Sequence, residues 1–420
     1  MSKYICIKEA YEWISIGSNK NELTQDEVDE LSKYLDDKKD NFETAILEVK
    51  YKKIRFINYV GVICLSNITI EILPKISLSS DSKKDREALL LMLSKCSKLP
   101  FDIDKTMNLN LKDFSLIDLL SKFFLEHLKK QVSRGLYFEY TSKEENLNSI
   151  KGKLLLTNHM RMNYANKVKA YCAYDEYNEN NFLNTVLKKA CMVILRKVND
   201  EDIKNDVKKI IAMFDNVDLE YIDKYKLLNY KFHRQNNRFK EAYDIATLIL
   251  LNMSMESSTG DSNGFSMLFE INTLYEEYIS TIVSNIWNNE NRETIVQDNS
   301  KYLLNNINTN RGNFNLKPDI ILKDNKESYD IIIDTKWKSA NAKIESSDMY
   351  QMYAYITRYT KARKCILLYP YNDDKMEYRK WELFEPFNDK YIEVKVVRLD
   401  SLNNTVKDLE KILDITYKFN

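Results

Sequence analysis

The sequence predicts an α+β, multidomain protein: a small β-barrel-like domain with a helical insert at the N-terminus, a helical/mixed middle region, and a C-terminal α/β domain. Three observations predict it. Short β-branched and aromatic runs crowd the first 76 residues, helix-periodic apolar stripes dominate the middle, and strand-like and helix-like runs alternate after a Ser/Gly-rich loop. A chain of 420 residues is expected to hold two or three domains. We set them at 1–135, 136–256 and 257–420.

In the first region, residues 4–7, 42–49, 54–62 and 67–73 read as strands between short polar breaks. Residues 24–35 interrupt them. Thr24 and Glu27 stand in capping-box register, so this insert is expected to be a short acidic helix protruding from a small barrel or curled sheet. Residues 83–98 form a helix stopped by Pro100. Residues 111–132 form another, with an apolar stripe through Leu116, Leu120, Phe123, Phe124 and Leu128 and a stop at Arg134-Gly135.

In the middle, 137–140 and 168–174 read as strands, and Lys151, Lys153, Arg161, Lys167 and Lys169 fall in a stretch with no acid from Lys151 to Lys169. Helices are expected at 180–198, 202–214 and 241–253. Residues 224–240 mix Lys224, Lys226, Lys231, Arg234, Arg238 and Lys240 with Tyr225, Tyr230, Phe232 and Phe239. Such a mix suits a phosphate backbone with stacked bases, but a solvated connector with its aromatics in the core is the reading we favour. The clearest loop, 257–264, marks the last boundary.

The C-terminal region carries the chemistry. Residues 265–287 read as one long helix, with Leu268, Ile271, Tyr275, Tyr278, Ile282 and Ile286 on a buried stripe and Glu276 at its flank. Pro318 cannot donate to a ladder and opens a strand, so Asp319 sits at the mouth of the run Ile320-Ile321-Leu322. Residues 329–337 form a second strand. Period-two alternation puts Asp334 and Lys336 on one face, Thr335 and Trp337 on the other, and a hairpin brings Asp319 beside Asp334. Two adjacent carboxylates raise each other's pKa unless a cation lies between them. Mg²⁺ suits that place, because it takes one or two carboxylates and completes its octahedron with water and phosphate oxygens. Lys336 then stands ready to support developing phosphorane charge. The plain alternative is a surface hairpin with solvated charges, but charge within an apolar strand is expensive. A helix at 345–360 follows, with Gln351, Tyr355 and Arg358 on one face and Met349, Met352, Tyr353 and Ile356 on the other. Strands at 364–369 and 391–397 and a helix at 401–412 close the chain.

This order of helix, Pro-Asp strand, Asp-x-Lys strand and helix resembles the PD-(D/E)xK nuclease superfamily, and Gln351-x-x-x-Tyr355 looks like its RecB-type version. The wider chain resembles the McrC family. Gly61-Val62-Ile63, Ile72-Leu73-Pro74-Lys75, Arg134-Gly135-Leu136, Lys151-Gly152-Lys153-Leu154, Tyr174-Asp175-Glu176-Tyr177 and Asp334-Thr335-Lys336-Trp337-Lys338 carry that likeness. The resemblance implies a restriction-endonuclease-like C-terminal domain and an endonuclease subunit of a type IV, modified-cytosine-dependent restriction system. Asp319, Asp334, Lys336, Gln351 and Tyr355 are then the catalytic set. Asp319, Asp334, the Thr335 carbonyl and Glu276 become the metal ligands, with Mg²⁺ as cofactor and Mn²⁺ as a substitute. It further implies double-stranded DNA as substrate and a McrB-like AAA+ GTPase hexamer as partner, engaged by the N-terminal part.

Composition sets limits. Lys+Arg and Asp+Glu both number 63, which argues against DNA affinity spread over the whole surface and fits a subunit loaded by something else. The six cysteines are scattered without zinc spacing and point to buried thiols in a reducing cytoplasm. No apolar run reaches transmembrane length, so no membrane role is expected. No G-x-x-x-x-G-K-[ST] loop occurs, so nucleotide hydrolysis would belong to the partner. The rivals are a stand-alone RecB-like DNA repair nuclease, which would cut alone, and a non-enzymatic activator of an AAA+ partner.

Overall fold

The computed structural model describes residues 3–76, 82–100, 115–165, 168–252, 264–326, 329–338, 344–371 and 379–414. The expected loop at 257–263, residues 111–114 of an expected helix, and Lys167 lie outside them. The chain divides into two compact units, one of residues 114–265 and one of 2–113 with 266–420. Among the described residues no helix is long and apolar enough to cross a membrane.

The second unit is built on a six-stranded sheet. Its order is Arg292–Val296, Ile320–Asp324, Tyr329–Thr335, Ala362–Pro370, Tyr391–Val397 and Arg379–Glu382. The first three strands run antiparallel in succession, and the next two continue parallel to Tyr329–Thr335. A parallel step needs a crossover, which the helix Ser346–Arg358 supplies. Alternate residues Ile321, Ile332, Cys365, Leu367 and Val394 pack with Met352, Tyr355 and Ile356 of that helix. The intervening Ile320, Leu322, Ile331, Ile333, Ile366 and Leu368 are equally buried. Near-continuous apolar strands of this kind mark a sheet covered on both faces, and the helix Ile271–Trp287 packs against Tyr329–Thr335 as well. Tyr353, expected on the apolar face of Ser346–Arg358, is half exposed, and Tyr355 is buried in its place.

Residues 265–287 are not one helix. Phe265–Glu270 is a strand and the helix is Ile271–Trp287. The strand pairs beside Tyr59–Cys64 in a sheet ordered Lys3–Lys8, Ile68–Leu73, Tyr59–Cys64, Phe265–Glu270. Tertiary pairing overrides the helical period there. Gly61 permits it: with φ +135°, a Cβ at Gly61 would lie 1.9 Å from the Met267 carbonyl oxygen. A second sheet holds Ile14–Ser15, Lys53–Phe56 and Leu47–Lys50. The N-terminal strands therefore form two sheets and no closed barrel among the described residues, because one edge is taken by a strand from far along the chain. The capping box at Thr24 and Glu27 is present on the helix Gln25–Asp37. That helix does not protrude: Val28, Leu31, Tyr34 and Leu35 lie in the core with Ile54, Phe56 and Ile70.

The other unit packs the helices Leu116–Val132, Phe182–Lys197, Glu201–Met213 and Lys240–Leu251 with a sheet of Glu139–Leu147, Ala170–Asn178 and Lys153–Leu154. The aromatics of 224–240 are mostly structural. Phe239 is buried, and Tyr230 and Phe232 stack with Tyr243.

Candidate active site

The central hairpin sets two acids side by side. Its register pairs Ile320 with Ile333, so the next residues outward, Asp319 and Asp334, face each other. Asp334 is buried and Asp319 half-buried. Thr335 holds Asp319 in place: its backbone N–H and its hydroxyl both donate to Asp319 Oδ2, at 2.7 and 2.8 Å. Lys336 shares the Asp334 face, as alternation predicts, and its Nζ lies 2.7 Å from Asp334 Oδ2.

The helix Ser346–Arg358 completes the arrangement. Lys336 Nζ donates to Gln351 Oε1 at 3.1 Å, Gln351 Nε2 donates to the Tyr355 hydroxyl at 2.7 Å, and that hydroxyl donates to the Lys317 carbonyl at 3.0 Å. Lys317 leads through Pro318 back to Asp319. The contacts close a ring in which each acid is fixed through the strand carrying the other.

Charge balance in the ring is uneven. Burial pushes Asp334 up to about 7, helped by Asp319 and opposed by Lys336. Burial also raises Asp319, against the Thr335 donors and the Lys336 charge. Burial works against the Lys336 ammonium, yet Asp334 and Asp319 outweigh it and keep it charged. Burial lifts the Tyr355 hydroxyl well above its ordinary range, so it stays a neutral donor. One ammonium thus serves two carboxylates, and it meets the buried Asp334 Oδ2 as an ion pair at 2.7 Å rather than through an aligned hydrogen bond. Oxygen donors short of positive charge are what a hard divalent cation takes.

Glu276 stands at the rim. Its carboxylate accepts from Gln297 Nε2 at 2.7 Å, and the Gln297 N–H donates to the Asp319 carbonyl at 2.8 Å. Burial and the charge of Asp319 raise Glu276 above the usual carboxylate value. Among the described residues no group of three His, Cys, Asp or Glu side chains forms a ready-made metal cage. Arg358 does not join the ring; its Nε donates to the Tyr302 carbonyl at 2.8 Å.

Three features escape sequence reading. Asp348, three residues before Gln351, is buried, accepts from Tyr369 at 3.4 Å and raises Asp334 further. Its spacing on the Gln351 face was the available signal. Trp337 stacks edge-on against Tyr275 and donates from Nε1 to Glu9 at 3.3 Å, tying the N-terminal strand to the site. A two-stranded hairpin, Lys301–Asn306 with Arg311–Leu316, springs from its edge.

Fold and site define a class: an α+β protein in which a buried acid, a half-buried acid and a lysine meet at the end of a sheet hairpin. The family model described as "McrBC 5-methylcytosine restriction system component" matches residues 54–370, and the chain belongs to that family. A chain from the half-complex of a tetradecameric assembly of Thermococcus gammatolerans McrB AAA+ hexamers with bound McrC is similar in fold. Its TM-score is 0.74 at 18% identity, covering 97% of this chain and 100% of that one. A chain of the Thermococcus gammatolerans McrBC complex matches with TM-score 0.53 at 20% identity, over 69% of this chain and 89% of that one. No curated protein matches. The resemblance to McrC read from the sequence is borne out.

Proposed function

We propose that the chain is the Mg²⁺-dependent endonuclease subunit of a type IV restriction system, with a PD-(D/E)xK-type C-terminal domain that cuts double-stranded DNA. The observation that carries this is the ring through Asp319, Thr335, Asp334, Lys336, Gln351 and Tyr355. Asp319 and Asp334 would hold the ion, with the Thr335 carbonyl and Glu276 as further oxygen donors, and Mn²⁺ would substitute. The ion, when bound, supplies Lewis acidity toward a phosphate oxygen and the attacking water. Lys336 orients that water and offsets charge developing on the phosphate. Gln351 and Tyr355 are positioning residues, since they reach the acids only through Lys336 and the Lys317 carbonyl. In-line attack on phosphorus leaves a 3′-hydroxyl and a 5′-phosphate.

The full-length likeness to a chain of an assembly containing McrB AAA+ hexamers supports a partner of that kind, a GTPase motor that reads modified cytosine, in the cytoplasm. In the assembled complex, Asp334→Asn and Lys336→Ala are expected to lower plasmid cleavage by about a thousandfold. Complex formation should survive. Wild-type cleavage in either variant sinks the reading.

A further inference from the structure

We infer that the hairpin Lys301–Asn306/Arg311–Leu316 is the element that enters the major groove of the substrate duplex beside the scissile phosphate, an inference that rests on the nuclease reading. Both of its ends are rooted in the site. On the entering side, Gln297 bonds the Asp319 carbonyl and Glu276, and Asp298 accepts from Tyr359 at 2.6 Å. On the leaving side the chain runs straight into Lys317, whose carbonyl Tyr355 holds. Arg358 clamps the base through the Tyr302 carbonyl. The ribbon thus projects from the acid pair on a fixed stem.

Its surface has the chemistry of a nucleic-acid reader. From Asn299 to Pro318 there is no acid, while Lys301, Arg311 and Lys317 are positive, in a chain whose net charge is zero. Six asparagines lie between Lys301 and Leu316. Amide side chains pair with the donor–acceptor edge of adenine, and a two-stranded ribbon fits the major groove. Asn305 with Asn310, Asn306 and Asn315 brace the hairpin internally, which leaves Asn308 and Asn313 exposed. Two apolar side chains stand in solvent: Ile307 at the turn is 94% exposed, and Phe314 on the returning strand 68%. Burying such residues against base edges, thymine methyls included, offsets the cost of displaying them.

The test is binding of the full chain to a short labelled duplex in EDTA, read by fluorescence anisotropy across a salt series. The double variant Lys301→Glu/Arg311→Glu is expected to bind at least about tenfold more weakly, with a log–log salt slope shallower by about 2, one unit per lost phosphate contact. Ile307→Asp, at a fully exposed tip that cannot unfold the domain, is expected to weaken binding with an unchanged Tm. A minor-groove ligand such as netropsin should not displace the protein. Wild-type affinity and slope in both variants overturn the inference, and so does a loss confined to assembly with a protein partner. Cleavage is not needed for this reading. A chain that binds through the hairpin yet cuts nothing refutes the nuclease proposal alone, and one that cuts normally in both variants refutes the hairpin alone.

Discussion

Asp334 sits where an ionised carboxylate is costly. Buried and facing Asp319, it is pushed up to about 7, whereas an unfolded aspartate titrates near 4. The folded chain therefore keeps a proton that the unfolded chain has already released. Stability from this group is full below about pH 4 and is lost as pH rises through about 7. With EDTA present, urea unfolding should show Asp334→Asn gaining on the wild type between pH 5 and pH 8, by on the order of a few kcal/mol. A gain in the opposite direction contradicts the account. Mg²⁺ added at pH 6 to 7 should release about one proton and close the gap. At this scale much was legible in the sequence. A carboxylate two residues before a lysine inside an apolar strand declares itself by the expense of its position. Asp348 does not, because an acid in the first turn of a helix reads as ordinary dipole complementation.

At the scale of elements, the ring depends on the helix Ser346–Arg358 holding its register over the hairpin. Tyr355 is its hinge: its ring packs in the core with Met352 and Ile356, and its hydroxyl joins Gln351 to the Lys317 carbonyl. Tyr355→Phe keeps the packing and removes both bonds. It should cost about 1–2 kcal/mol in stability and lower cleavage about tenfold while Mn²⁺ affinity stays near wild type. That split between turnover and metal affinity separates a positioning role from ligation. Gly61 tests a second element. With the Met267 carbonyl 1.9 Å from its would-be Cβ and φ at +135°, Gly61→Ala should destabilise the second unit by more than about 2 kcal/mol, measured by urea unfolding. The Gln-x-x-x-Tyr helix was readable because its spacing is local. The Phe265–Glu270 strand was hidden, since Phe-Ser-Met-Leu-Phe-Glu satisfies a helical stripe and only its distant partner decides otherwise. The hairpin at 301–316 was hidden because asparagine-rich segments read as loops.

At the scale of the whole molecule, the N-terminal strands and the C-terminal sheet share one compact unit with the middle of the sequence between them. Contacts such as Tyr34 with Ser266 and Glu9 with Trp337 span most of the chain. Local pattern carries no trace of such pairing, so the coarse mixture of helix and strand was readable while its assembly was not. The fold likeness covers this arrangement nearly end to end, and the family match spans residues 54–370 of it. The site lies within that architecture, and under the proposed function its acid pair seats a divalent cation. Manganese binding to the full chain at pH 8, followed by electron paramagnetic resonance, tests this most directly. The wild type is expected to bind the ion, and Asp334→Asn and Asp319→Asn to bind it at least about tenfold more weakly; equal affinity in all three proteins would contradict the account.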